Sequence, residues 1–427
     1  MTGPYPIRPI TEADWAAYNA VSTQAFNNSA PPDEELDRER VVFEFDRSLA
    51  AFDGAEIVGT ACAYSFRMTV PGGPLPVAGV SFVSVLPTHR RRGILSAMMA
   101  HQLTGLADGG EPVAALFASE PGIYGRFGYG LASLSNRFRI RRGDITLGSG
   151  VPPGAVPPGG PVRLREVSLD PPPADLAKVY DQILPTRPGL FARDDRWWQS
   201  VLYDSAHWRG GSTPLRCVLA EDDGGPCGFA VYSVQPSWDS DALPDSSLGI
   251  RELMATDARA AAALWSDLLS RDLVGEVTAR LRPADDPLLY LASDLRRLRA
   301  QQSDGLWVRL VRAGEALSRR QYSGPVDVVL EVTDSLLPAN SGRWRLQAGA
   351  GGPSGSTDGG GSARCERTTE PADLALPVAA LGAAYLGGTS LAVLARAGQV
   401  AELRPGRLAA VSAAFSWDPA PWCPQIF

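Results

Sequence analysis

Along residues 49–130 the spacing of apolar positions switches repeatedly between the two-residue period of a strand and the longer period of a helix. Residues 49–52 and 57–70 are apolar runs rich in small and β-branched side chains, separated by Asp53-Gly54, a dipeptide that supplies the positive φ of a tight turn. They predict a hairpin whose second arm ends at Gly72-Gly73. Residues 78–86 (AGVSFVSVL) read as a further strand, 93–106 as a helix, 112–118 (PVAALFA) as a short buried strand, and 119–130 as the start of another turn or helix. Upstream, a short first strand precedes a helix that Thr11 caps, with Asp14 placed to reach back and Trp15, Tyr18 and Val21 on one face. These elements make one α/β domain over residues 1–148.

Residues 149–161 (SGVPPGAVPPGGP) are nearly all glycine, proline and small side chains, a composition that cannot pack and marks a linker. Residues 162–302 then echo the first domain, with a helix at 174–184, strands at 216–220, 227–234 and 249–255, and a helix at 258–269. Residues 253–259 stand where the first copy has 85–91, but no arginine cluster or glycine follows, so the second copy reads as a repeat that lost its site. Residues 303–427 carry strands such as 306–310 and 326–332, a glycine-rich run at 348–362 read as a mobile loop, and two closing helical stretches, which predicts a third, α+β domain. A chain of 427 residues needs more than one core, since single cores stop growing near ~250–300 residues.

Composition narrows the function. With 44% hydrophobic and 20% charged residues the chain is an ordinary globular one rather than disordered or fibrous. Its formal charge of -7 opposes nucleic-acid binding, because an acidic chain repels a polyanion. No apolar leader opens the sequence and no run approaches ~18 apolar residues, so neither export by a signal peptide nor a membrane span is expected. Five scattered cysteines without CxxC spacing suggest neither disulfides nor zinc and suit the cytoplasm, and three histidines leave little for a metal site.

The segment Val83-Ser84-Val85-Leu86-Pro87-Thr88-His89-Arg90-Arg91-Arg92-Gly93-Ile94-Leu95-Ser96 is a strand running through a basic turn into a helix that opens at glycine. Free N–H groups at a helix start, the positive end of its dipole and adjacent arginines all favour a diphosphate, and Gly93 lets the backbone approach it. Three arginines in a row are, without context, as often a solvated charge run. Here they fall between a β-branched strand and an amphipathic helix, as a phosphate site requires.

VSVLPTHRRRGIL resembles the acetyl-CoA motif of the GNAT N-acetyltransferase superfamily, R/Q-x-x-G-x-G/A after a strand: Arg90 and Gly93 match, and Leu95 replaces the usual last small residue. Together with ASEPGIYGRFGYG (residues 118–130), the double α/β repeat, the carrier-like third domain and the terminal Phe427, it makes the whole chain resemble the enhanced-intracellular-survival (Eis-like) aminoglycoside and lysine acetyltransferases. The resemblance implies two tandem GNAT-like domains, the second degenerate, followed by a sterol-carrier-like C-terminal domain. It implies that Val83, Ser84, Val85, Arg90, Arg91, Arg92, Gly93, Ile94, Leu95 and Ser96 hold acetyl-CoA, with Ser119 and Glu120 closing the site. Tyr124 is then the general acid, the α-carboxylate of Phe427 the general base, and Phe26 and Phe82 walls of the acceptor pocket. The resemblance implies no metal, and it implies a homohexameric assembly.

From the residues alone, Tyr124, Phe127 and Tyr129 serve equally as packing aromatics in a glycine-rich turn, and a chain end is usually frayed. Asn28 falls where some members carry an acid, which with the run Asp33-Glu34-Glu35 leaves the acceptor amine open. Cys62 sits among small strand residues and reads as core rather than nucleophile. The competing reading is a non-catalytic lipid- or partner-binding protein using the sterol-carrier-like domain.

Overall fold

Thr11 opens the first helical segment as expected: its backbone N–H and its hydroxyl both donate to the Asp14 carboxylate at 3.0 Å. The first turn is a 3-10 turn, Glu12–Asp14, and the α-helix follows as Trp15–Ala25. This computed structural model describes residues 4–150, 160–349 and 363–427. Most of the expected linker at 149–161 and most of the glycine-rich run at 348–362 therefore lie outside the described residues.

The chain divides into two compact units. The first comprises residues 1–133, 304–421 and 426–427. The hairpin forms as Ser48–Asp53 and Glu56–Val70 around a turn in which Gly54 has φ 61°, and the next strand is longer than its apolar run, Gly73–Val85. Helix Ile94–Gly109 and strand Val113–Phe117 complete the expected order. Strand Glu56–Val70 is buried along most of its length, which is why it reads as continuous apolar sequence rather than an alternation. The run at 33–35 opens an additional helix, Asp33–Val42, in which Asp33 and Glu34 are exposed and Glu35 is buried.

Strand pairing departs from the expected boundaries at 148 and 302. Leu306–Leu310 inserts between Val113–Phe117 and Gly130–Leu131 in the first sheet, whereas Leu134–Arg141 pairs antiparallel with Val274–Pro283 in the second. The first sheet thus takes a strand that follows the second repeat, and the second sheet takes one from the end of the first repeat. Periodicity marks a strand but not its partner, so this exchange is invisible in sequence.

A further sheet in the first unit, ordered Arg364–Arg367, Gly342–Ala348, Val326–Thr333, Leu374–Pro377, Ala401–Glu402, carries the α+β pattern expected of the C-terminal segment. Its helix Val378–Ala384 lies directly on strands Gly130–Leu131 and Leu306–Leu310. A β-carbon at Gly130 would overlap the Ala379 carbonyl and one at Gly382 the Val308 carbonyl, so this approach requires glycine at both positions.

The second unit, residues 134–303 and 422–425, holds the repeat. Ser246–Ala255 leads to helix Ala258–Ser270 and then pairs parallel with Val274–Pro283, as Gly73–Val85 leads to Ile94–Gly109 and pairs parallel with Val113–Phe117.

Candidate active site

The site is made where two parallel strands part. Gly73–Val85 pairs with Val113–Phe117 only from Val77↔Val113 to Gly79↔Ala115, yet on its other side it stays paired with Glu56–Val70 as far as Gly59↔Val85. Beyond Gly79 one edge of this strand is therefore unpaired within the sheet. A bulge sharpens the divergence: Ala61 faces both Phe82 and Val83, and Phe82 takes φ 53°, a left-handed conformation costly for a large side chain.

The strand then enters the turn Pro87–His89, passes Arg91 at φ 65° and Gly93 at φ 82°, and becomes helix Ile94–Gly109. No side chain caps this helix, so its first N–H groups remain available, and Gly93 faces open space where a β-carbon would stand. The helix is held tight to the sheet because Gly59 leaves room for Ile94 and Met98.

These features open into a cavity of about 740 Å³. Val83–Val85 form one wall, Gly93–Ser96 the helix start, and Ser119, Glu120, Ile123 and Tyr124 the opposite side. Arg90, Arg91, Arg126 and His89 add a basic rim, and Phe26, 42% exposed, borders it with Ala25 and Asn27. Arg90 donates to the Ala25 carbonyl at 3.1 Å, and His89 is held between Thr88 (2.9 Å) and Asp53 (3.2 Å). Of the expected cofactor residues, Arg92 alone turns away from the lining, donating to the Tyr5 hydroxyl at 3.0 Å. His89, Ile123, Arg126, Ala25 and Asn27 were not singled out in the sequence; Arg126 had a signal, since it sits in the same glycine-rich turn as Tyr124.

Tyr124 is buried at the end of helix Pro121–Tyr124, its ring edge-on to Tyr129 with centroids 6.0 Å apart. Burial, seconded by the nearby Glu120 charge, raises its hydroxyl pKa, and a hydrogen bond with the Ser119 side chain acts in the opposite direction. Phe82 does not line the cavity: its ring packs against Tyr18 and Phe43, each 5.8 Å away between centroids. The ring of Phe427 lies at the fork itself, 5.0 Å from Phe66 and 5.9 Å from Phe117, and 3.1 Å from where a β-carbon of Gly79 would be.

The second copy has the same strand-to-helix turn and has filled it. Asp257 accepts from the N–H groups of Arg259 (2.8 Å) and Ala260 (2.9 Å), the donors that a diphosphate would use. Arg259 is in turn committed to Asp257 (2.8 Å) and Asp222 (3.0 Å). A carboxylate fixed on the helix start excludes a second anion, which is the physical content of its degeneracy. Among the described residues no group of three or more His, Cys, Asp or Glu is arranged to hold a metal, and no helix is long and apolar enough to cross a membrane.

Comparison with known proteins agrees with this geometry. Residues 6–132 and 189–312 each match an acetyltransferase (GNAT) domain family, and residues 313–424 match the sterol carrier protein domain. An uncharacterized N-acetyltransferase of Streptomyces avermitilis is 44% identical over 426 residues, 99% of each chain. The N-acetyltransferase Eis of Mycobacterium tuberculosis is 34% identical over 418 residues, 96% of each chain. The crystal structure of Eis1 from Mycobacterium abscessus superposes with a TM-score of 0.78 at 32% identity, covering 99% of this chain and 100% of that one. An open strand edge, an uncapped helix start and a protonated tyrosine in one cavity, on a scaffold shared end to end with these enzymes, place the chain among the Eis-like N-acetyltransferases of the GNAT superfamily.

Proposed function

We propose that the chain transfers acetyl from acetyl-CoA to a primary amine of a small molecule, such as an aminoglycoside, or of a lysine side chain, by direct attack within a ternary complex. The observation that carries this reading is the coincidence, in one cavity, of the open edge at Val83–Val85, the uncapped helix start at Gly93 and the hydroxyl of Tyr124. The donor set fits the group: strand N–H and C=O groups can pair with an amide-bearing arm, and the helix start with Arg90 and Arg91 suits a diphosphate. Ser119 and Glu120 close the opposite side.

Bound acetyl-CoA supplies an acyl group already activated as a thioester. The residues of the chain move protons. The Phe427 carboxylate takes the proton that the amine nitrogen loses as the C–N bond forms, and Tyr124 gives its hydroxyl proton to the sulfur as the C–S bond breaks. Both groups return to their starting states by proton exchange with water. Burial suits Tyr124 to this role because it keeps the hydroxyl protonated at neutral pH. A cysteine nucleophile has no support: burial raises the thiol pKa of Cys62, as well as those of Cys217, Cys365 and Cys423, each of the last three to about 12. Phe26 at the cavity edge offers aromatic surface of the kind that attracts ammonium groups. No metal enters this scheme. Cytoplasmic residence and a homohexamer belong to the same proposal, by likeness to the family.

Free-thiol release from acetyl-CoA, measured with a panel of amines including aminoglycosides and a lysine peptide, tests the reading. Acceptor-dependent release that is lost in Tyr124→Phe supports it. Measurable acetyl-CoA binding without release to any amine would overturn it in favour of a binding protein.

A further inference from the structure

At the fork of the first unit's sheet, the peptide joining Phe82 to Val83 is held by a side chain of the neighbouring strand. Thr60 lies directly opposite Ser84, just ahead of the bulge where Ala61 faces both Phe82 and Val83, and it is fully buried. Its Oγ1 donates to the Phe82 carbonyl at 2.6 Å and stands 2.6 Å from Oγ of Ser84. A hydroxyl has one proton to give and a carbonyl oxygen can only accept, so the Thr60 proton goes to Phe82 and the Ser84 hydroxyl donates to Thr60. The chain of donors runs from Ser84 at the cavity wall, through Thr60, to the carbonyl of the bulge.

This bond sets a direction. The Phe82–Val83 peptide is trans and planar, so its C=O and its N–H point to opposite sides. The Phe82 carbonyl points to strand Glu56–Val70, which carries Thr60. The N–H of Val83, the other half of the same peptide, therefore points away from that strand, toward the edge that is unpaired beyond Gly79. Packing does not fix this by itself. The ring of Phe82 is held against Tyr18 and Phe43, but a large residue keeps a φ of 53° only where its surroundings impose it, and on the carbonyl side the Thr60 hydroxyl does so. A hydroxyl buried in a strand costs stability unless it is bonded, and here its bond is spent on the bulge.

Of the strand residues that line the cavity, Val83 lies nearest the fork, where the ring of Phe427 stands, and furthest along the chain from the helix start at Gly93 that suits a diphosphate. The acyl end of an extended cofactor arm belongs at the Val83 end. We infer that Thr60 is a positioning residue for acetyl transfer: through the Phe82 carbonyl, its hydroxyl directs the Val83 N–H at the acetyl carbonyl oxygen. That N–H stabilises the negative charge that gathers on the oxygen as the C–N bond forms and leaves it as the C–S bond breaks. The inference rests on the reading of the cavity as an acetyl-CoA site.

The test uses the full chain, at temperatures well below the Tm of each variant. Thr60→Val keeps the shape of the side chain and removes the hydroxyl. It is expected to lower kcat by about tenfold or more, since displacing such a donor costs less than the ~10²–10³ of deleting one, with the Kd of acetyl-CoA unchanged. Thr60→Ser, which keeps the hydroxyl, should retain most of the parental kcat. A second readout needs no turnover: infrared difference spectra of acetyl-CoA bound without an acceptor, its acetyl carbonyl labelled with carbon-13. The C=O band should lie lower on the parent than in free solution, and should move back toward the free position in Thr60→Val but not in Thr60→Ser. Thr60→Ala removes the same hydroxyl without a branched side chain, should move the band as Thr60→Val does, and takes its place if Thr60→Val does not fold. A band unmoved by loss of the hydroxyl, or parental kcat without it, would overturn this inference alone. Failure of the parent to bind acetyl-CoA would overturn the reading of the cavity and the inference with it.

Discussion

At Tyr124 the packing of one side chain decides its chemistry. Burial favours the neutral phenol, so its pKa moves up from the ordinary ~10, and the form able to donate is the one present at neutral pH. With Tyr124 as the proposed acid, which acts protonated, turnover should hold through the mildly alkaline range and fall only as pH rises through that raised pKa; a kcat profile already falling near pH 8 would contradict the assignment. Tyr124→Phe removes the proton without the ring and should lower kcat about 10²-fold with acetyl-CoA affinity retained, read by thiol release and by calorimetry. Cys62 is the contrasting case: buried in strand Glu56–Val70, it should tolerate Cys62→Ala with turnover largely intact, and near-complete loss in a folded variant would refute that. In the sequence Tyr124 stands as an expectation carried by the resemblance of residues 118–130 and Cys62 reads as core among small strand residues, whereas the left-handed bulge at Phe82 leaves no mark, because Phe82 resembles any other apolar strand residue.

At the scale of the element, the two strand-to-helix turns are a natural comparison of an open and a closed phosphate turn. Gly93 has no side chain to offer, and the helix it opens is uncapped; Asp257 occupies the equivalent donors of its own helix. Asp257→Ala should therefore destabilise by about 1 kcal/mol in chemical denaturation, the usual worth of an N-cap, with turnover unchanged. Gly93→Ala should cost about 1 kcal/mol of backbone strain at φ 82° and also weaken acetyl-CoA binding. Equal effects of the two substitutions on binding would remove the distinction. Both turns were visible in sequence as strand, loop and helix, since that order is local; that Asp257 folds back onto the helix start follows from its place just ahead of Ala258, but that Arg259 is then committed to Asp222 required the fold.

Across the whole molecule, the C-terminal segment is part of the unit that holds the cavity: Gly130 and Gly382 let helix Val378–Ala384 lie on the first sheet, and Phe427 reaches the fork of that sheet. Adding a single residue after Phe427 should abolish turnover while sparing acetyl-CoA binding, measured by thiol release and by equilibrium titration. The amino-acid sequence by itself determined the order of elements, the repeat, and the strand-turn-helix at Gly93 with its counterpart at Asp257, because each is written in period and spacing over a few neighbouring residues. Only the tertiary structure decided which sheet receives strands Leu134–Arg141 and Leu306–Leu310, and where the strands diverge to open the cavity. Those are pairings between residues far apart in the chain, and periodicity reports how a segment presents its faces, not what it meets.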